Sequence, residues 1–357
     1  MVDVIMLASQ LIGLRTDAGR HDELRAALDL IARQLPADVT VEWFVRNGHH
    51  SFLAYAGASR PERFRVILNG HVDVIPGKPQ QYQATRVDDR IYGVGALDMK
   101  SNLAVLCAVF ADMVHRVPYP LALQVVSDEE IGGFDGTLLQ VEQGVRADFV
   151  ISGETTQFNV VHQAKGIVWL NIRTQGVTAH GAYPWRGQNA LVRLMDAWQR
   201  ISALFAVPMS EAWVTTVNLA RIETTNMAFN KVPDDAHMWL DIRCIPADAA
   251  TVVARIRACV GTECHVEVVA DEPALDVPAT HPDIVLLQAA VQAVRGTPAP
   301  LSAAMGSSDA RHFTHVGCAG VEFGPVGGGI GSDEEWTSVV GLTDYAAIMR
   351  HFLGEVR

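Results

Sequence analysis

The 357-residue sequence contains no run of lysines or arginines, no Cys-x-x-Cys pair and no apolar stretch long enough to cross a bilayer. Each absence removes a class of function. With 28 basic against 40 acidic residues the net charge is −12, which disfavours nucleic acid and anionic membrane as partners. The longest apolar run, Leu103 to Met113, is broken by Asp112 and falls short of the roughly 20 residues of a spanning helix. The five cysteines (Cys107, Cys244, Cys259, Cys264, Cys318) are odd in number and scattered, so they read as reduced core residues of a cytoplasmic protein. No Gly-x-Ser-x-Gly elbow marks a nucleophilic serine, and nothing resembles a phosphate-binding loop. The start, MVDVIMLASQLIGLRTDAGR, carries Asp3 and no basic segment; it reads as an amphipathic helix rather than a signal peptide.

What remains is a soluble globular composition, 49% apolar and 19% charged, in a chain too long for one ordinary core. In the first half, apolar runs such as RVILNG, LALQVVS and ADFVISG read as buried strands, and SNLAVLCAVFADMVHRV reads as a packed helix. This alternation predicts an α/β fold with a sheet flanked by helices. From about Ile167 the texture becomes strand, helix, strand, strand, helix, strand, a βαββαβ sandwich in its own right. After about Asp276 the first texture returns. The expected organisation is a discontinuous main domain, residues 1–166 and 276–357, with an α+β domain inserted at 167–275.

Acids and a histidine gather at the expected strand ends, where α/β sheets collect their functional groups. VILNGHVDVIPG places His71 and Asp73 after one strand, VVSDEEIGG places Asp128, Glu129 and Glu130 after another, and VISGETT places Glu154 after a third. Asp98, in YGVGALDMK, precedes a helix. One imidazole among several carboxylates suits a divalent ion, zinc above all, and the surplus of carboxylates suits two ions sharing a bridge. Adjacent Glu129 and Glu130 permit one to bind metal while the other serves as general base.

These motifs resemble those of the peptidase M20 family, dinuclear zinc exopeptidases and deacylases, along nearly the whole chain. The resemblance implies a zinc-exopeptidase-like mixed sheet with an inserted lid and dimerisation domain. By it, His71 is a ligand oriented by Asp73, Asp98 bridges both ions, Glu154 completes the first site, Glu130 serves the second and Glu129 is the general base. GALDMKS departs from the family in having Val94 upstream where an arginine is common, and Ser101 where a glycine is usual. GVTAHGAYPWRGQNAL is similar to the lid signature, in which the histidine, here His180, reaches the partner subunit's site. FNKVPDDAHMWLDIRC resembles the substrate-binding stretch, with Asn230 and Arg243 expected to grip a substrate carboxylate or an oxyanion. The implied activity is hydrolysis of small N-acyl amino acids or dipeptides by a cytoplasmic homodimer holding two zinc ions, with cobalt or manganese able to substitute.

One departure stands out. In relatives the loop here written GPVGGGIGSDEEW ends in a histidine that ligates the second ion, followed by an acid and often an aromatic. Aligning Glu335 and Trp336 with that pair puts Gly331 in the histidine's place. A weak second site is expected unless Ser332, Asp333, Glu334, His312, His315 or water stands in. A non-catalytic member that binds an amino-acid-like ligand is the rival reading.

Overall fold

The computed structural model describes residues 2–357, which form two compact units. The first comprises the chain up to Gln163 together with Val277–Ala303 and Ser308–Arg357; the second comprises Ala164–Asp276 and the short Ala304–Ser307.

The first unit is built on a mixed sheet. Strands Phe64–His71, Leu121–Val126, Ala147–Ser152 and Ala319–Glu322 run parallel, and the hairpin Val39–Arg46/His49–Ala56 adds an antiparallel edge beside Leu121–Val126. Alternation along each strand assigns side chains to its two faces. Val66, Leu68, Leu121, Leu123, Val125, Phe149 and Ile151 enter one core, where helices Val4–Ile12, Lys100–Met113, Pro282–Arg295 and Val339–Glu355 supply the other wall. Ile67, Ala122 and Val150 enter the opposite core with Leu139, Val141 and Phe313. Each fully buried Val, Leu or Phe contributes roughly 1.5–3 kcal/mol by transfer from water, so both faces must be covered for the sheet to persist.

Helix Lys100–Met113 is buried along almost its entire length, which explains why its sequence is apolar all round instead of striped. The edge hairpin turns at Asn47 and Gly48, both with positive φ (51° and 85°), the conformation that Asn-Gly supplies at low cost.

In the second unit four antiparallel strands are ordered Thr216–Glu223, Asp235–Cys244, Gly166–Gln175, Cys264–Glu272. Helices Ala190–Leu204 and Val252–Val260 share one core with Val168, Leu170, Ile172, Met238, Leu240 and Ile242. The alternate residues, among them Trp169, Trp239, Asp241 and Arg243, are more exposed. All five cysteines are free; Cys107, Cys244 and Cys318 are buried, whereas Cys259 and Cys264 are only half-buried and line the edge of a core instead of filling it.

Candidate metal centre

Register explains why the acids converge. His71 pairs with Val126 and Asn69 with Ser152, so three parallel strands end level and the segments after them open at one edge of the sheet. From these come His71 and Asp73, then Asp128, Glu129 and Glu130, then Glu154. Asp98 joins them from the loop ahead of Lys100–Met113. That loop is tied to the Glu154 segment by Asn102, whose Nδ2 donates to the carbonyls of Leu97 (3.1 Å) and Gly153 (2.9 Å).

His71 is almost fully buried. Its Nε2 lies 3.1 Å from Asp98 Oδ1, 3.9 Å from Glu154 Oε1 and 4.0 Å from Glu129 Oε2. One ligand atom each from His71, Asp98 and Glu154 falls within 4.8 Å of the other two. On the other side of the ring, Nδ1 is 3.0 Å from the Asp73 carbonyl and 3.4 Å from its carboxylate Oδ1. Asp73 Oδ2 accepts from the Glu130 backbone N–H at 2.9 Å. Asp73 therefore orients the imidazole and ties it to the segment that bears Glu129 and Glu130. Asp128 behaves differently: its carboxylate accepts from the N–H groups of Asp135 (2.7 Å) and Gly136 (3.1 Å), closing the turn that follows.

The electrostatics of this cluster call for a cation. Burial, reinforced by neighbouring carboxylates, raises Glu129 and Glu154 well above the ordinary glutamate range, and burial pushes Glu130 up to about 7. Burial opposes the imidazolium of His71, but the Asp73 and Asp98 carboxylates outweigh it and raise its pKa well above the usual value. Such a crowd is relieved by a divalent ion, and an imidazole with carboxylates is a donor set that binds one. His71, Asp98 and Glu154 fit the first site. Asp98 and Glu130 fit part of a second.

The glycine loop passes that second position. Gly327 and Gly328 pair with Thr337 and Trp336 in a hairpin whose second strand, Trp336–Ser338, pairs with Arg90–Tyr92. At Gly328 an added Cβ would meet the Trp336 indole at 2.8 Å, so bulk is disallowed there; at Gly331 the nearest atom would be Ile75 Cδ1, at 3.8 Å. Gly331 instead lines a cavity of about 300 Å³ together with Asp98 and Glu130. The space for a side chain is present and the side chain is not.

Of the expected stand-ins, Ser332 and Asp333 line this cavity, each with a partner of its own. Asp333 is paired with Lys78, and Ser332 Oγ donates to the Gly329 carbonyl at 2.7 Å. Glu334, His312 and His315 are not among the residues lining the cavity. His312 is buried with Nε2 2.9 Å from the Gly132 carbonyl, and burial pushes its pKa down to about 3.

In the inserted unit His180 and Asn230 are exposed neighbours: Gly181 N–H donates to the Asn230 carbonyl at 2.6 Å, and His180 bridges to Lys231. Arg243 is not with them. It pairs with Ile167 at the far end of strand Asp235–Cys244, and the eight steps from Asp235 to Arg243 alone span roughly 26 Å at ~3.3 Å each. Within one protomer Asn230 and Arg243 thus stand well apart along the chain. Arg243 Nε donates to Asp241 at 3.0 Å, in a groove of about 350 Å³ shared with Trp169 and Trp239. The two tryptophans were not singled out from the sequence, although period-two spacing puts Trp239, Asp241 and Arg243 on one face.

Comparison with known proteins follows the same lines. A probable carboxypeptidase of Aspergillus terreus is 34% identical over 211 residues, covering 54% of this chain and 48% of that protein, about half of its length. A succinyl-diaminopimelate desuccinylase of Caulobacter is 28% identical over 99% of this chain and 96% of its own. The crystal structure of a tripeptidase from Staphylococcus aureus superposes with a TM-score of 0.77 at 18% identity, covering 99% of this chain and 97% of that one, and so shares the fold. The sequence model of peptidase family M20/M25/M40 matches residues 67–355, a span that includes His71, Asp98, Glu129, Glu130 and Glu154. With that much of the chain matched, this protein belongs to peptidase family M20/M25/M40.

Proposed function

We propose that the protein is a metal-dependent amidohydrolase that cleaves small N-acyl amino acids or short peptides. The observation that carries this reading is the buried His71–Asp98–Glu154 constellation with Glu129 beside it. Zinc is the expected ion, cobalt or manganese its substitutes. Bound there, such an ion would act as a Lewis acid toward the amide carbonyl and acidify water.

The protein's own groups supply the rest. Glu129, whose Oε2 lies 4.0 Å from His71 Nε2 beside the first site, is placed to take the proton of the attacking water and to return it to the leaving amine. Asp73 keeps the His71 ring oriented, with its Nε2 turned toward Asp98. Arg243 offers a planar fork to a substrate carboxylate. The proximity of His180 and Asn230, and their distance from Arg243 along the strand, support a division of labour in a homodimer: one protomer contributes Arg243, and the partner's His180 and Asn230 steady the oxyanion. The unpaired outer edge of Thr216–Glu223 is a natural surface for a second copy. The free cysteines support a cytoplasmic location.

The direct test is a panel of N-acyl amino acids and unblocked dipeptides assayed with chelator-stripped and metal-reconstituted protein. Hydrolysis restored by metal supports the reading; hydrolysis indifferent to the chelator, or none on any member of the panel, contradicts it. With the best substrate, Arg243→Lys should raise KM about tenfold or more despite its conserved charge, because the bidentate fork is lost; an unchanged KM would remove Arg243 from the site. Mixed dimers of His180→Ala with Glu129→Ala should recover part of the activity that each parent lacks, since one of their two sites keeps both residues. Mixed dimers as inactive as the parents would show that His180 does not act across the interface.

A further inference from the structure

We infer that Glu335, at the base of the glycine hairpin, is a positioning residue for the metal-binding carboxylate of Asp98. It is 3% exposed and faces the loop that carries Asp98. Its Oε1 accepts from the backbone N–H groups of Leu97 (2.8 Å) and Asp98 (3.0 Å), its Oε2 from that of Gly95 (3.2 Å), and its own carbonyl from that of Gly93 (3.2 Å). One residue thus satisfies four N–H donors of one short loop. The donors converge on a carboxylate, which only accepts, and hydrogen bonds to an ionised acceptor are the shorter and stronger kind. On its carbonyl side the same loop is held by Asn102 Nδ2 (3.1 Å) and Thr155 Oγ1 (2.8 Å), both on Leu97 O. Asp98 is therefore clamped at its own N–H, one residue from each fastening, with its carboxylate 3.1 Å from His71 Nε2.

The inference rests on Asp98 being a metal ligand. It separates two roles of the glycine hairpin: Gly331 at its tip fails to supply a ligand, while Glu335 at its base still sets the position of another.

The readout is the affinity of the metal-free protein for its first zinc ion, measured by competition with a chromophoric chelator, and the visible absorption spectrum of the cobalt-loaded protein. Glu335→Gln keeps the shape but turns an NH₂ toward backbone N–H donors. It should weaken the first ion by about 10–100-fold, the range for losing a residue that orients a ligand, and alter the cobalt spectrum. Asp89→Asn is the control. Asp89 accepts from Ser338 Oγ (2.6 Å) and Val340 N–H (2.8 Å) beyond the other end of the same strand, so its loss should lower the melting temperature without changing metal affinity. Should Glu335→Gln yield no folded protein, Glu335→Asp takes its place with an intermediate loss expected. Zinc affinity within twofold of wild type in the folded Glu335 variant, or an equal loss in Asp89→Asn, overturns the assignment of Glu335 alone. A wild-type chain that binds no ion overturns the metal centre and this assignment with it.

Discussion

Replacing Gly331 by histidine should raise both the zinc content and the hydrolytic rate of the protein. The position borders the cavity that contains Asp98 and Glu130, and an added Cβ meets nothing nearer than Ile75 Cδ1 at 3.8 Å. The backbone there has φ of 66°, so a side chain costs roughly 1 kcal/mol of left-handed strain, and histidine is among the residues that tolerate this region. Against this stands a directional ligand for an ion that Asp98 and Glu130 alone would otherwise hold. Loss of a group that merely orients a ligand costs roughly 10–100-fold in affinity, and tenfold already equals about 1.4 kcal/mol. A ligand itself should yield at least as much, so the gain exceeds the strain. Zinc per protomer should rise from near one toward two, and turnover should rise at saturating zinc. Two ions per protomer with brisk turnover in the unaltered protein would mean that another group already serves as ligand. No gain in either quantity from folded Gly331→His would mean that the loop does not serve the metal.

Glu129→Gln should lower kcat by roughly 10²–10⁴-fold, the range for loss of a general acid–base group, and leave the affinity for the first ion almost unchanged. The carboxylate is near His71 but is not part of the group of ligand atoms formed by His71, Asp98 and Glu154, and the amide preserves its shape without accepting a proton. Equilibrium zinc titration and steady-state kinetics on the same preparation separate the two effects. A fall of less than tenfold would assign the base elsewhere, and a parallel loss of metal would make Glu129 a ligand.

Much of this was legible in the sequence, for identifiable reasons. The core strands are continuous apolar runs and the acids follow directly after them, so the edge at which His71, Glu129 and Glu154 meet could be read from strand ends alone. That Gly331 brings no ligand side chain to its loop was legible from the sequence itself. The open space beside it was not, because that depends on Ile75, more than 250 positions away. The edge hairpin at Asn47-Gly48 escaped notice although its turn signal was present. Glu335 could be aligned but given no role, since its partners are backbone N–H groups some 240 residues earlier. The separation of Asn230 and Arg243 within one protomer was not legible either, because it depends on the extended strand Asp235–Cys244 between them.

The most direct test of the metal centre is anomalous diffraction at the zinc edge from crystals of the unaltered protein equilibrated with zinc. The strongest anomalous peak should lie among His71 Nε2, Asp98 and Glu154, with a weaker peak or none between Asp98 and Glu130 beside Gly331. A dominant peak at Glu130 with none at His71, or no peak at either position, would contradict the assignment.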